Sequence, residues 1–293
     1  MVHIHFIVNP IAGKSKHQID ISFLRKHFVE DEYKIQLKYS EYKKHAIALT
    51  NSSIAEGAQV IVACGGDGTI NEVARCLVDT VIPLGIIAIG SGNGLASNLN
   101  IPKQIEKAIE VIKNQNIIKI DVGNINDHYF FSNTGFGFDA NVIKNYEASE
   151  RRTLACYIKA SLKSFYEFHK QMEIEININN TSIVVNPFLI FISNSNELGY
   201  NVSLTPKASL QDGLLDVVIV KRINKVKMLL FGILLLFKKQ HLLKGVKCFQ
   251  TKQIQLTRNK GLIFESQIDG ELQNIDDKSV LICLKEQSLS VFV

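Results

Sequence analysis

The stretch VACGGDGTINE, residues 62–72, limits what this chain can fold into more than any other. Gly65, Gly66, Asp67 and Gly68 crowd three glycines and one aspartate into four positions. The apolar run before them, residues 59–64, has strand character, and Thr69 and Glu72 stand at capping-box spacing, which predicts a helix starting at Thr69. Glycine adds to the entropy cost of ordering a chain, so a turn this dense implies a left-handed backbone or a closely approaching ligand. A strand feeding a helix through such a turn leaves backbone N–H groups bare beside a helix N-terminus, where the partial positive charge suits phosphate. The Asp67 carboxylate would repel that phosphate, and a magnesium ion between the two reconciles them.

The pattern recurs along the first part of the chain. Strand-like segments at 3–9, 35–39, 59–64 and 86–89 alternate with helical segments starting near His17, Lys44, Thr69 and Pro102. This alternation predicts a mostly parallel α/β sheet with ligand-binding turns at the strand ends. Beyond residue 124 the character changes to strands, including MEIEININ, a turn at Asn179 and Asn180, and TSIVV, which together predict a hairpin. A helix over about 152–170 and an apolar stretch at 228–237 interrupt the strands. The chain of 293 residues therefore divides into an α/β domain over 1–124 and a β-rich, sandwich-like domain over 125–293, expected to pack around a cleft that holds the site.

Three further clusters could carry chemistry. NPIAGKSK, residues 9–16, follows the first strand; Gly13 permits a tight turn, and Lys14 and Lys16 could neutralise phosphate or could be solvated lysines. It is not a Walker A loop, because the second glycine and the terminal Lys-Ser/Thr pair are missing. IAIGSGNGLASNL, residues 87–99, repeats the strand, glycine turn and helix start, with Ser91 and Asn93 in the turn. QIDGELQ, residues 267–273, reads either as a plain Asp-Gly hairpin or as a turn presenting Glu271, a carboxylate able to accept a proton from an attacking hydroxyl.

The formal charge of +5 is spread along the chain; with no basic patch interleaved with aromatics, nucleic acid is not expected as a partner, whereas an anionic membrane surface would suit. Five scattered cysteines without a CxxC pair predict free thiols in a reducing, cytoplasmic compartment. The opening MVHIHFIVNP lacks the apolar core of a secretion signal. The segment MLLFGILLLF, 228–237, is too short to span a bilayer; it reads first as a buried core helix and second as a helix lying on a membrane, rimmed by Lys225, Lys227, Lys238 and Lys239. The eight histidines show no ligand spacing.

Taken in order, NPIAGK, SEYKKHA, GGDGTINEV, GSGNGLA, NTGFGFDA, DGLLDV and DGE resemble the diacylglycerol kinase catalytic-domain family, which includes bacterial lipid kinases and the sphingosine and ceramide kinases. The resemblance runs nearly end to end. It implies transfer of the ATP γ-phosphoryl to a lipid hydroxyl with magnesium, by a peripheral membrane protein, and leaves room for a homodimer. Carried over residue by residue, it implies that Asn9, Pro10, Gly13 and Lys14 touch ATP phosphates and that Ser40 and Ser91 stand where the family usually has threonines. Gly65, Gly66, Asp67, Gly68, Thr69 and Asn71 would form the main nucleotide loop, with Asp67 near catalytic magnesium and Glu271 as proton acceptor. A structural magnesium would be held by Ser209, Asp212 and Leu214, and Asp139 would face the lipid head group. One departure stands out: many bacterial members carry an aspartate where this chain has Gly94, as in the sphingosine kinase branch. Diacylglycerol is the leading acceptor; a sphingoid base, NAD as in NAD kinases that share GGDGT, and a catalytically silent nucleotide-binding regulator are the alternatives.

Overall fold

The computed structural model describes residues 1–13, 19–90, 92–149, 153–167, 173–179, 181–196, 203–258 and 264–293. The chain forms two compact units, Met1–Ile120 together with Glu286–Val293, and Asp121–Lys285.

In the first unit, β1 (Val2–Val8), α1 (Ile21–Arg25), β2 (Tyr33–Tyr39), α2 (His45–Ala55), β3 (Val60–Gly65), α3 (Asp67–Leu77), β4 (Leu84–Ala88), α4 (Gly94–Asn98) and α5 (Ile105–Lys113) follow one another. The strands are parallel in the order β2-β1-β3-β4, so β1 is flanked by β2 and β3 and the order reverses between β1 and β3. Every residue of β3 and β4 is buried, which is why VIVACG and LGIIA read as unbroken small and apolar runs rather than alternating ones. Helix α3 buries Ile70, Val73, Ala74 and Leu77, spaced at 3.6-residue periodicity, and turns Arg75 outward.

Two local expectations are corrected here. Helix α3 begins at Asp67, two residues before Thr69, because extended Gly66 is its N-cap. The Thr69 hydroxyl is engaged by Asn9 Nδ2 at 3.2 Å and Glu72 Oε1 by the Lys44 N–H at 2.9 Å, so neither serves a capping box. The first helix starts at Ile21, capped by Asp20, whose Oδ1 accepts from Phe23 N at 2.8 Å; His17 lies outside the described residues.

Strand β5 (Ile117–Ile125) leads into the second unit, which contains β6 (His128–Phe130), β7 (Asn133–Gly137), α6 (Phe138–Glu147), α7 (Leu154–Glu167), β8 (Ile174–Ile178), β9 (Thr181–Val185), β10 (Pro187–Ser193), β11 (Leu215–Lys221), α8 (Lys225–Leu236), β12 (Val246–Thr251), β13 (Gln253–Arg258), β14 (Phe264–Ile268), β15 (Glu271–Ile275) and most of β16 (Ser279–Phe292). One antiparallel sheet runs β12-β11-β10-β7-β14-β15; in the other, β13 pairs with β16 and with β8, and β8 forms the expected hairpin with β9. Ile190, Ile192, Val217, Ile219, Phe136 and Phe264 from the first sheet share a core with Ile174, Ile176, Ile254, Leu256, Val280 and Ile282 from the second, the arrangement of a β-sandwich. The alternate residues of β10 and β11, among them Leu189, Phe191, Val218 and Val220, face a second core with Met228 and Phe231 of α8. Both faces of β10 are thus covered, and PFLIFIS is buried throughout.

Helix α8 is the element whose sequence misleads. Read first as a core helix, it buries only Met228 and Phe231, while Val226, Leu229, Leu230, Ile233 and Leu236 are exposed. The second unit supplies one receiving surface, the outer face of β10 and β11, and a single stripe of α8 satisfies it.

Candidate functional site

The glycine loops of the first unit gather at the carboxyl ends of β1, β3 and β4, around the point where strand order reverses, the position at which open α/β sheets take ligands. Asn9 ties the first loop to the second: its N–H donates to Cys64 O at 2.9 Å and its Nδ2 to Thr69 Oγ1 at 3.2 Å, while its Oδ1 accepts from Ile11 N at 3.2 Å. Pro10 occupies the exposed turn and Gly13 takes a left-handed φ of 82°. Ser40, past the end of β2, donates its N–H to Val8 O at 2.8 Å and so stands beside the end of β1. Lys14 and Ser91 lie outside the described residues.

The second and third loops touch through glycine. A Cβ on Gly90 would come within 2.6 Å of Gly66 Cα, so no side chain fits where these backbones meet. Gly68 differs: a Cβ there would meet nothing within 4 Å, and its φ is not left-handed. Neither packing nor backbone demands a glycine at that position. Its open side belongs to the first turn of α3, an 11-residue helix whose N-cap Gly66 has no side chain to occupy the first-turn N–H groups. Bare amides, positive helix end and open approach together make an anion cradle. Asn71 lies on the same helix.

Asp67 does something the sequence did not disclose. Its Oδ2 accepts from Asn93 N at 2.8 Å and its Oδ1 from Gly94 N at 2.6 Å, so the carboxylate clamps the third loop to the second. Asn93 is held in a left-handed conformation (φ 59°) by its own Nδ2 donating to Gly90 O at 2.8 Å. Gly94, where an aspartate was expected from the resemblance, gives Asp67 this backbone N–H, while its carbonyl accepts from Asn98 Nδ2 at 3.0 Å. Each Asp67 oxygen keeps a second acceptor site, and one carboxylate with phosphate oxygens and waters is an ordinary magnesium donor set, so the loop fits that ion.

In the second unit, Asp269 and Gly270 form the two-residue turn between β14 and β15, with φ of 47° and 79° as a type I′ turn requires. The turn is also an anchor. Asp269 Oδ2 accepts from Phe131 N at 2.9 Å, and its Oδ1 from Ser132 N at 2.8 Å and Asn133 N at 3.0 Å. Gln267 Oε1 accepts from Gly270 N at 2.9 Å while its Nε2 donates to Asn133 Oδ1 at 2.7 Å. Half-buried Glu271, the next residue, is therefore presented by a fixed turn. Sequence reasoning treated Asp269 as a turn former; the three consecutive amides that it holds come from the link between β6 and β7 and the first residue of β7, 136–138 residues away in the chain, which no local signal reveals.

Asp139 sits in the first turn of α6, buried, with Oδ2 unpartnered among the described residues. Gly135 makes room for it, since a Cβ there would fall on that oxygen. Burial pushes the Asp139 carboxyl up to about 6, against an opposing hydrogen bond from Gln267.

Of the residues expected to hold a structural metal, Ser209 Oγ accepts from Gln211 N at 3.3 Å and Asp212 Oδ1 from Leu214 N at 3.1 Å, a tight local turn. The sequence reading missed Asp121, a buried carboxylate whose Oδ2 accepts from Gly213 N at 2.8 Å in the same turn. Gln250 Nε2 bridges Asp212 Oδ2 at 3.4 Å and Asp216 Oδ2 at 3.1 Å. These are oxygen donors of the type that hard cations take. Among the described residues, no group of three or more His, Cys, Asp or Glu side chains is placed to hold a metal by itself.

The α/β unit with glycine loops at its strand ends and the β-sandwich-like unit with an anchored acidic hairpin are each matched by a family model. The diacylglycerol kinase catalytic domain matches residues 3–125, and the YegS C-terminal NAD kinase beta sandwich-like domain matches residues 132–284. Together the two models match most of the chain, which belongs to the diacylglycerol kinase catalytic-domain family. A diacylglycerol kinase of Bacillus subtilis is 27% identical over 230 residues, 76% of this chain and 75% of that relative. A Chromohalobacter salexigens protein named "Probable lipid kinase YegS-like" is 28% identical over 62% of this chain and 60% of its own length. An uncharacterized Synechocystis protein is 30% identical over 73% of this chain, which spans about half (52%) of that relative. A crystal structure of a diacylglycerol kinase from Bacillus anthracis superposes with a TM-score of 0.71 at 18% identity, covering 99% of this chain and 96% of the other, a likeness that concerns the fold alone.

Proposed function

We propose that this protein transfers the γ-phosphoryl group of ATP to the hydroxyl of a membrane lipid, with diacylglycerol as the acceptor. The observation that carries the reading is Gly68: an open glycine on the uncapped N-terminus of α3, between loops locked together at Gly66 and Gly90. In this reading the first-turn amides of α3 and the Asn9 loop hold the nucleotide phosphates, preorganised donors that strengthen as charge shifts during transfer. Magnesium supplies neutralisation of phosphate charge when bound, and Asp67 is the carboxylate that would hold it. Glu271 takes the proton from the attacking lipid hydroxyl, and Asp269 positions it by fixing the turn. Asp139, a buried carboxyl with a free oxygen, faces the polar part of the acceptor. Ser209, Asp212, Leu214 and Asp121 would hold a hard cation with a structural role.

The test is transfer of labelled γ-phosphate from MgATP to diacylglycerol, sphingosine, sphinganine, ceramide and phosphatidylglycerol in mixed micelles, with NAD as a soluble control. Label in diacylglycerol is expected. Glu271→Gln should lower turnover by at least about 100-fold with ATP binding retained. Label in NAD alone, or a fully active Glu271→Gln enzyme, would overturn the assignment.

A further inference from the structure

Two helices of the second unit carry apolar stripes that its cores do not use. On α7, Ile158, Leu162 and Tyr166 recur every four residues and are 51%, 56% and 72% exposed. On α8, Val226, Leu229, Leu230, Ile233 and Leu236, followed by Phe237, recur at helical spacing opposite buried Met228 and Phe231. The two helix ends meet: Lys225 Nζ, at the start of α8, donates to Phe165 O and Tyr166 O near the end of α7 and lies 4.9 Å from the Phe165 ring centre. Exposed Leu242 follows on the short turn after α8. An apolar surface of this extent on a folded protein marks an interaction site rather than scattered exposure.

Charge identifies the occupant. Between Asp216 and Glu265 the chain carries eleven Lys and Arg residues and no Asp or Glu, although the whole chain has a net charge of only +5. Lys225, Lys227, Lys238, Lys239 and Lys244 are all exposed around α8. A second copy of the chain would bring the lysine rim of α8 against another like it. An apolar stripe inside a basic rim is instead the pattern of a helix lying in the interface of an anionic bilayer. At 12 residues α8 is too short to cross, and among the described residues no helix is long and apolar enough to span a membrane.

We infer that α7 and α8 form a docking surface that seats this protein on anionic phospholipid bilayers, with the α8 stripe in the acyl boundary and the flanking lysines on the head groups. The inference extends the lipid-kinase reading and rests on it for bringing the protein to a bilayer. Its test reads binding without turnover. The full chain would be co-sedimented with vesicles of phosphatidylcholine alone and of phosphatidylcholine with equimolar phosphatidylglycerol, beside the variants Leu229→Ser/Ile233→Ser/Phe237→Ser and Lys238→Glu/Lys239→Glu. The native protein should bind the anionic vesicles at least about tenfold more tightly, and each variant should lose about tenfold of that affinity. The exposed positions predict unchanged thermal midpoints and unchanged transfer to a short-chain, water-soluble diacylglycerol. Undiminished binding by the triple-serine variant, no preference for anionic vesicles, or a native dimer that the variant dissociates would overturn the inference. Absence of transfer to any acceptor with vesicle binding intact would count against the kinase reading and leave the docking surface standing.

Discussion

Single residues in this protein carry roles that their types only partly announce. Gly68 and Gly90 are the same residue for opposite reasons: one stands open at a helix end, the other is forced by a neighbouring backbone 2.6 Å from where its Cβ would be. Asp139 is a buried carboxyl whose proton couples folding to pH. With its carboxyl raised from 3.8 to about 6, the folded state holds a proton that the unfolded chain releases, so stability is greatest below about pH 4 and falls as pH rises through 6. Asp139→Asn removes that dependence. The variant is expected to be more stable than the native protein at pH 8, on the order of 2 kcal/mol, and close to it at pH 4. Urea unfolding at the two pH values measures the difference; equal gaps at both would show that the carboxyl does not titrate in this range.

At the scale of elements, the informative unit is the hairpin of β14 and β15. Its Asp-Gly turn is legible from sequence because both positions need positive φ, but the same aspartate also fastens the turn to Phe131, Ser132 and Asn133. Asp269→Ala leaves three amides without their charged acceptor and is expected to destabilise the fold by about 2–3 kcal/mol. Turnover should fall with it, because the variant loosens the segment that presents Glu271. Glu271→Gln should lower turnover with the unfolding midpoint unchanged. Measuring both quantities on both variants separates holding the turn from accepting the proton; an unshifted midpoint in Asp269→Ala would remove the anchoring role.

Across the whole molecule, the chain ends by returning to its first unit. Val291 pairs with Leu84 of β4, Asp79 N donates to Ser288 O at 2.7 Å, and Leu289, Val291 and Phe292 are buried. A C-terminal segment therefore completes an N-terminal sheet. Deleting residues 288–293 removes three core side chains and is expected to cost roughly 5 kcal/mol, with ATP affinity lost alongside stability. Isothermal calorimetry with ATP, and a urea melt of the truncated protein, give the two readouts; a truncated chain as stable as the native one would mean that the return strand adds nothing to the unit it joins.

The sequence by itself determined the α/β and β-rich classes, the glycine turns at strand ends and the hairpin positions, because periodicity, glycine density and turn chemistry act over a few residues. Its resemblance to the lipid kinases rests on the same short motifs. The capping of α3 escaped it, since Asn9, some sixty residues away, claims the Thr69 hydroxyl. So did the clamp of Asp67 on Asn93 and Gly94, and the contact of Asp121 with Gly213, each made between segments far apart in the chain that only the tertiary fold brings together. Helix α8 shows the difference most plainly. Its composition states that it is apolar, but whether apolar residues are buried depends on how much surface the rest of the fold offers, and this fold offers enough for one stripe.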